Sequence, residues 1–264
     1  MTNAAVTKTE EIKPSGDAVL IERLGEVAVI TLNRPDARNA VNVALAQGIV
    51  DAIAACADAK AIVLTGNGTA FCAGLDLRNL GTEHLRDLPL FLNAVRDSKV
   101  PVIAAVNGAA VTGGFELALA ADFMIGSPRA RFADTHLRVR VYPGPVLVDL
   151  PRRVGIARAK EMTMTGNFVD ADTALRIGLL NHLVSEEELL PAALALAGAI
   201  AEQVPEMVAH VRQDWEATTY LPFREAHKSH SRFAAENGYG GATSETLVAN
   251  RQAVVDRAKT QPGS

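Results

Sequence analysis

The chain has 264 residues, 48% of them hydrophobic and 21% charged, and a formal net charge of −4. That balance suits a soluble globular protein with one large core or two smaller ones, folding without covalent staples. Basic residues are spread along the chain and no window approaches 18 uninterrupted apolar residues, so neither a nucleic-acid partner nor a membrane partner is expected.

The first stretch, "MTNAAVTKTEEIKPSG" (1–16), has neither the apolar centre of a signal peptide nor the arginine-rich, acid-poor composition of a transit peptide. It reads as a flexible tail, and a cytoplasmic location is expected. "AVLIERL" (18–24) and "VAVITLNR" (27–34), separated by Gly25-Glu26, read as a hairpin ended by Arg34-Pro35-Asp36. Apolar residues at helical spacing predict a helix over 41–59, with Asn39 or Asn42 as its cap. Cys56 and Cys72 lack metal-ligand spacing and read as buried or half-buried residues of a reducing compartment.

"KAIVLTG" (60–66) then reads as a buried strand that breaks at Gly66-Asn67-Gly68 into the loop "FCAGLDL" (71–77). A helix over 83–98 with a possible break at Pro89, a strand over 100–108, a second glycine-bearing turn with a helix over 109–122, and a strand over 122–127 follow. Strands alternating with helices predict parallel crossovers. Beyond Pro143-Gly144-Pro145 the pattern turns helical, over 156–165, 170–177, 185–204, 205–218, 222–236 and 243–258, with "LLNHLVS" (179–185) strand-like between them. The expected organisation is a tail over 1–16, an α/β core over 17–200 and a helical C-terminal region over 201–264.

The two strand-to-helix turns carry the chemistry. In each, small residues let a backbone approach a ligand closely, and the N–H groups at the start of the following helix have no intrahelical acceptor. Two such donors converging on one point form an oxyanion hole, although strand–glycine–helix turns also serve as plain connectors. The glycines of "GNG" and "TGG" lack the spacing of a dinucleotide fingerprint.

"NRPDARNAVN" (33–42), "AFCAGLDL" (70–77), "NGAAVTGGFELALAADF" (107–123), then "ARF", "YPGP" and "MTMTGNFVDADTALRIGLLNHLV" (162–184), in this order and spacing, resemble the crotonase superfamily of enoyl-CoA hydratases and isomerases over residues 18 to 260. The resemblance implies repeated ββα units, a C-terminal helical trimerisation region, and a homotrimer or a dimer of trimers. It also implies an acyl-CoA thioester substrate whose enolate is held by two backbone N–H groups. No metal or redox cofactor is expected, since coenzyme A is part of the substrate.

Carried over by position, the first N–H donor falls on Leu75, after Ala73-Gly74, and the second on Gly113, in Thr112-Gly113-Gly114. Arg38, Ala40, Ala70 and Ala73 fall where the family meets the adenine end of coenzyme A, and Asp76 is expected to cap the helix that follows. The C-terminal lysine that often meets the phosphates is replaced by Asn250, beside Arg251. Hydration requires a base for water and an acid for the α-carbon. Glu116 matches one of the two glutamates many hydratases use. The other is missing: "FADTH" places His136 at its position, and an extended segment would put Phe132, Asp134 and His136 on one face. An Asp134–His136 pair could then donate the proton as imidazolium. The expectation is an enoyl-CoA hydratase-type lyase. Another crotonase reaction on a CoA thioester, or an acyl-CoA-binding protein without catalysis, stand as alternatives.

Overall fold

In the computed structural model, which describes residues 8–12, 17–76, 78, 90–239 and 244–260, the chain alternates from the start. It runs through β1 (Lys8–Ile12), β2 (Val19–Leu24), β3 (Val27–Leu32), α1 (Val43–Ala55), β4 (Ala61–Gly66), β5 (Ala70–Cys72) and α2 (Phe91–Arg96). β6 (Val102–Val106), β7 (Ala109–Val111), α3 (Gly113–Leu119), β8 (Phe123–Gly126), β9 (Arg131–Ala133), α4 (Val146–Val154) and α5 (Ile156–Thr165) come next. The remainder is β10 (Val169–Asp170), α6 (Ala171–Arg176), β11 (His182–Leu183) and four helices, α7 (Leu189–Ala201), α8 (Pro205–Thr218), α9 (Phe223–Glu236) and α10 (Ser244–Thr260).

The main sheet has the order β1-β2-β3-β4-β6-β8-β11, antiparallel at its first two pairings and parallel from β3 onward. Alternation along its strands feeds two cores. Ala28, Ile30 and Leu32 of β3, Ile62 and Leu64 of β4, and Val102, Ala104 and Val106 of β6 face one side with α1 and α3. Val27, Val29, Ala61, Val63, Ile103 and Ala105 face the other. There α7 lays Leu189, Ala193, Ala197 and Ala201 along one stripe at i, i+4 spacing, three alanines letting the helix lie close to the sheet. Burial on both faces explains why β4 reads as an unbroken apolar run.

A second sheet, β10-β9-β7-β5, is made of strands only two or three residues long. Each of β4, β6 and β8 is thus followed by a short strand of the second sheet, which aims the turn after it. This is the ββα repeat.

Several sequence expectations are corrected here. Residues 109–111 are strand rather than helix, because Ala109 and Ala110 pair with β5 and, with Val111, with β9. Phe71 and Cys72, read as the start of the loop 71–77, instead form β5 with Ala70. The helix expected over 41–59 spans Val43–Ala55 and is capped by Asn42, whose side chain accepts from Leu45 N–H at 3.0 Å. α4, around Pro151, falls outside the expected helical segments. Residues 83–89 of the helix expected over 83–98 lie outside the described residues; over the rest, helix is confined to α2.

The chain divides into two compact units, 1–209 and 210–264, with the division inside α8. In the second unit, α9 buries none of its residues, and Trp215, Tyr220 and Phe223 are exposed. No single helix among the described residues is long and apolar enough to cross a membrane.

Candidate active site

The first turn follows β5. Gly74 has φ +86°, and a Cβ there would stand 2.7 Å from the Val111 carbonyl oxygen, so only glycine fits both the conformation and the space. Backbone bonds hold the turn against the segment 38–41: Ala73 N–H donates to Arg38 C=O at 3.0 Å, Val41 N–H to Gly74 C=O at 2.7 Å, and Asp76 N–H to Val41 C=O at 2.9 Å. Arg38 is exposed and its own backbone is left-handed, φ 51°. Ala40 and Ala70 are buried, and the Ala70 carbonyl accepts from the Asn39 side chain at 2.9 Å. The coenzyme-end candidates therefore do gather at one place, with Ala73 half-buried among them.

Asp76 closes this turn. Its buried carboxylate accepts from Arg34 Nη2 at 3.1 Å and from Arg78 Nη2 at 2.7 Å. Hydrogen bonds from Arg78, then Arg34, outweigh burial and hold its carboxyl well below the usual carboxylate range. Any helix it would cap lies outside the described residues.

The second turn joins β7 to α3. Here the chain is bent at Thr112, whose φ of 52° and ψ of −115° are costly for a β-branched residue. Thr112 N–H donates to Ala133 C=O and Glu116 N–H to Thr112 C=O, both at 2.8 Å. A Cβ on Gly114 would meet the Cys72 carbonyl oxygen at 2.1 Å, and one on Gly113 would lie 3.9 Å from Leu75 N, so the two turns are in contact. Among the described residues, neither Leu75 N–H nor Gly113 N–H donates to an acceptor. These are the two donors the sequence singled out.

Glu116 lies in the first turn of α3 and is buried. Its Oε1 accepts from Val146 N–H at 3.2 Å. Burial pushes its carboxyl above the ordinary value, against the Val146 bond and the charge of His136.

Asp134 and His136 do form a pair, 2.6 Å between Oδ1 and Nδ1. The extended run, however, stops at Ala133, and His136 opens a 3-10 turn over 136–139. A local bond from His136 N–H to Asp134 Oδ1 at 3.3 Å, rather than period-two alternation, brings the side chains together. Because the carboxylate can only accept, Nδ1 carries a proton toward it and Nε2 is the atom left for a substrate. The Asp134 bond raises the His136 pKa above that of a free imidazole, against partial burial, with Glu116 adding to the rise. Burial alone would raise the Asp134 carboxyl, but bonding from His136 and the nearby Thr163 hydroxyl bring it below its ordinary value; its Oδ2 has no partner at hydrogen-bond geometry.

Both cysteines are buried and free, and burial pushes the thiols up to about 11 at Cys56 and about 12 at Cys72. Cys72, though next to the first turn, is therefore no nucleophile near neutral pH. Sequence reasoning missed Thr112, Thr135, the Val146 N–H, and Gly144, where a Cβ would stand 3.1 Å from Glu116 Oε1. A β-branched residue ahead of Gly-Gly is the one signal that could have pointed to the first of these.

With this geometry in view, comparison with known proteins is decisive. The enoyl-CoA hydratase/isomerase family matches residues 22–237. The chain belongs to that family. A probable peroxisomal enoyl-CoA hydratase 1 of Arabidopsis thaliana is 32% identical over 251 residues, covering 91% of this chain and 93% of the plant protein. A carnitinyl-CoA dehydratase of Salmonella paratyphi A is 34% identical, covering 80% of this chain and 85% of its own length. An enoyl-CoA hydratase subunit I from Geobacillus kaustophilus superposes with a TM-score of 0.80 at 30% identity, covering 94% of this chain and 97% of the other. Family membership agrees with the ββα repeat and the paired turns.

Proposed function

We propose that this protein is an enoyl-CoA hydratase-type lyase that adds water to, or removes it from, an acyl-CoA thioester. One observation carries the reading. A buried carboxyl and a carboxylate-held imidazole lie within electrostatic reach of each other, on the segments that flank two adjoining turns with free N–H groups. The relatives' activities support the same class.

In the forward direction the thioester oxygen accepts from Leu75 N–H and Gly113 N–H. Glu116 takes a proton from water as the water oxygen bonds to the β-carbon, and the π electrons move through the α-carbon onto that thioester oxygen. The enolate then collapses, and the α-carbon takes the proton from His136 Nε2. Glu116 is left protonated and His136 neutral, and a proton returns from one to the other to reset the site. Donors of the hole type are worth on the order of 3 kcal/mol of barrier each. The buried carboxyl of Glu116, at the start of α3, also fits a second reading, isomerisation of a double bond, in which one carboxyl ferries a proton between carbons.

Arg38 and the backbone of Ala40, Ala70 and Ala73 receive the coenzyme end, and no separate cofactor takes part; Gly74 and Gly114, expected to line the substrate, instead let the backbone pack, since a Cβ at either would meet the Val111 or Cys72 carbonyl oxygen. The exposed Trp215, Tyr220 and Phe223 support assembly through the C-terminal helices into a trimer or a dimer of trimers, with a cytoplasmic role in acyl-CoA metabolism. Sedimentation should then give a multiple of three chains.

The test of the reaction follows loss of the conjugated thioester absorbance of short enoyl-CoA substrates. Glu116→Gln keeps the shape but cannot accept water's proton, so turnover should fall by roughly 10²–10⁴-fold with CoA-ester affinity nearly unchanged. A wild-type protein that binds enoyl-CoA of several chain lengths without hydrating any would sink the hydratase reading.

A further inference from the structure

Thr112 is a hub. Its N–H reaches back to β9 through Ala133 C=O, its C=O receives Glu116 N–H, and its Oγ1 shares a hydrogen bond of 2.5 Å with the Thr135 hydroxyl. Thr135 N–H also approaches Thr112 Oγ1 at 3.3 Å. Thr135 lies between Asp134 and His136 in the chain, and Thr112 immediately precedes Gly113. One pair of hydroxyls therefore ties the segment that carries the imidazole to the turn that carries the second N–H donor.

The backbone needs that tie. At φ 52° and ψ −115°, Thr112 occupies a region that glycine enters freely and a β-branched residue enters only when its surroundings over-determine it. Without its side-chain bond the turn would relax toward negative φ. The peptide between Thr112 and Gly113 would rotate, and with it the Gly113 N–H. Nothing else on the threonine side chain is bonded among the described residues.

We propose that Thr112 and Thr135 are positioning residues: their hydroxyl pair holds the strained turn that aims the Gly113 N–H at the thioester oxygen, in register with the Asp134–His136 pair. The inference rests on the oxyanion-hole part of the proposed function and deepens it. Neither threonine touches the reacting atoms. Thr135→Val keeps the shape and deletes the hydroxyl–hydroxyl bond, leaving only the longer backbone contact from residue 135 N–H, while Thr112→Gly removes the strain that makes the bond necessary.

The experiment is calorimetric titration with two probes, acetoacetyl-CoA, an enolisable thioester whose enolate charge reaches the carbonyl oxygens, and butyryl-CoA, which is saturated. Misaiming one donor should weaken acetoacetyl-CoA binding by about ten- to a hundredfold in Thr135→Val, with butyryl-CoA held within about threefold. Thr135→Ser, which keeps the hydroxyl, should bind like the wild type. Thr112→Gly in the Thr135→Val background should restore acetoacetyl-CoA binding to within about threefold, because glycine holds the turn unaided. That rescue is what a merely structural role would not produce. No loss in Thr135→Val, an equal loss for both thioesters, or no recovery in the double variant overturns the proposal. The readout involves no water addition, so a protein that fails to hydrate enoyl-CoA yet shows this pattern would break the hydratase reading and leave the positioning role standing.

Discussion

The first turn, Ala73–Asp76, is tied to Arg38–Val41 by three backbone bonds of 2.7–3.0 Å, and its left-handed position is filled by Gly74. The second, Thr112–Gly114, fills the comparable position with a β-branched residue and depends on a side-chain bond to Thr135. Each carries an N–H, of Leu75 and of Gly113, that has no acceptor among the described residues, and the two turns are in contact. Backbone ties tolerate changes of side chain, whereas a strained residue whose backbone bonds are supplemented by a hydroxyl pair is exposed to the loss of either hydroxyl. The first turn should therefore break only at glycine, and the second at several side chains around it.

The largest effect is expected at Gly74. Alanine there would carry a left-handed φ and a Cβ 2.7 Å from the Val111 carbonyl, a backbone atom that cannot step aside without moving β7. Gly74→Ala should destabilise the fold by roughly 2–4 kcal/mol and abolish turnover, checked by chemical denaturation and the hydration assay together. A stable, active Gly74→Ala enzyme would mean that the first turn is not the rigid partner.

Next comes His136, on the side of the second turn. A positioned general acid is worth roughly 10²–10⁴-fold, so His136→Ala should lower kcat by that order with little change in KM. His136→Glu supplies a carboxyl at the same place and should recover part of the loss. If Ala leaves turnover untouched and Glu adds nothing, the α-carbon proton comes from elsewhere.

How much of this could be read from the sequence follows the same division. The β2–β3 hairpin and α1, whose cap was narrowed to Asn39 or Asn42, were legible from their periods, and β4 and β6 from apolar runs closed by Gly or Asn. β5, β7 and β9 were not, since three residues are too few to show alternation and their pairing is set by distant partners. Glu116 and the two N–H donors came from motif order. The Asp134–His136 pair was anticipated for the wrong reason, a turn having replaced the expected strand. Thr112 left only the faint mark of a β-branched residue ahead of Gly-Gly, because its positive φ is invisible until the backbone is built, while Thr135 meets it across 23 residues of chain and Arg34 meets Asp76 across 42.

A smaller effect is expected at Asp134, where the comparison can be sharpened through pH. Turnover needs Glu116 ionised and His136 protonated. The rate should rise as pH climbs through a Glu116 pKa lifted above the ordinary carboxylate value, and fall as it passes a His136 pKa lifted above that of a free imidazole. The bond to Asp134 is the main cause of the second lift. Asp134→Asn should therefore move the alkaline limb to lower pH and cost about tenfold in kcat at neutral pH, with the acid limb displaced much less. An unmoved alkaline limb would detach His136 from the rate.

The smallest effect on turnover is expected at Asp76, the side chain that closes the first turn, because that turn is held chiefly by its backbone. Asp76→Asn should leave kcat within about threefold of wild type, as removal of one supporting interaction beside an intact ladder of backbone bonds does not re-aim a donor. Its effect should appear in stability instead. The carboxylate offsets the charge of the largely buried Arg34, while the exposed Arg78 adds little. A carboxyl whose folded pKa is depressed contributes stability that is fully present above the unfolded value of about 3.9 and is lost as pH falls through the folded one. The variant should thus melt roughly 3–6 °C below wild type at pH 7, with the gap closing only under strongly acid conditions. Thermal unfolding across pH checks this. A large fall in kcat with unchanged stability would place Asp76 in direct contact with substrate, and would make the first turn as dependent on side chains as the second.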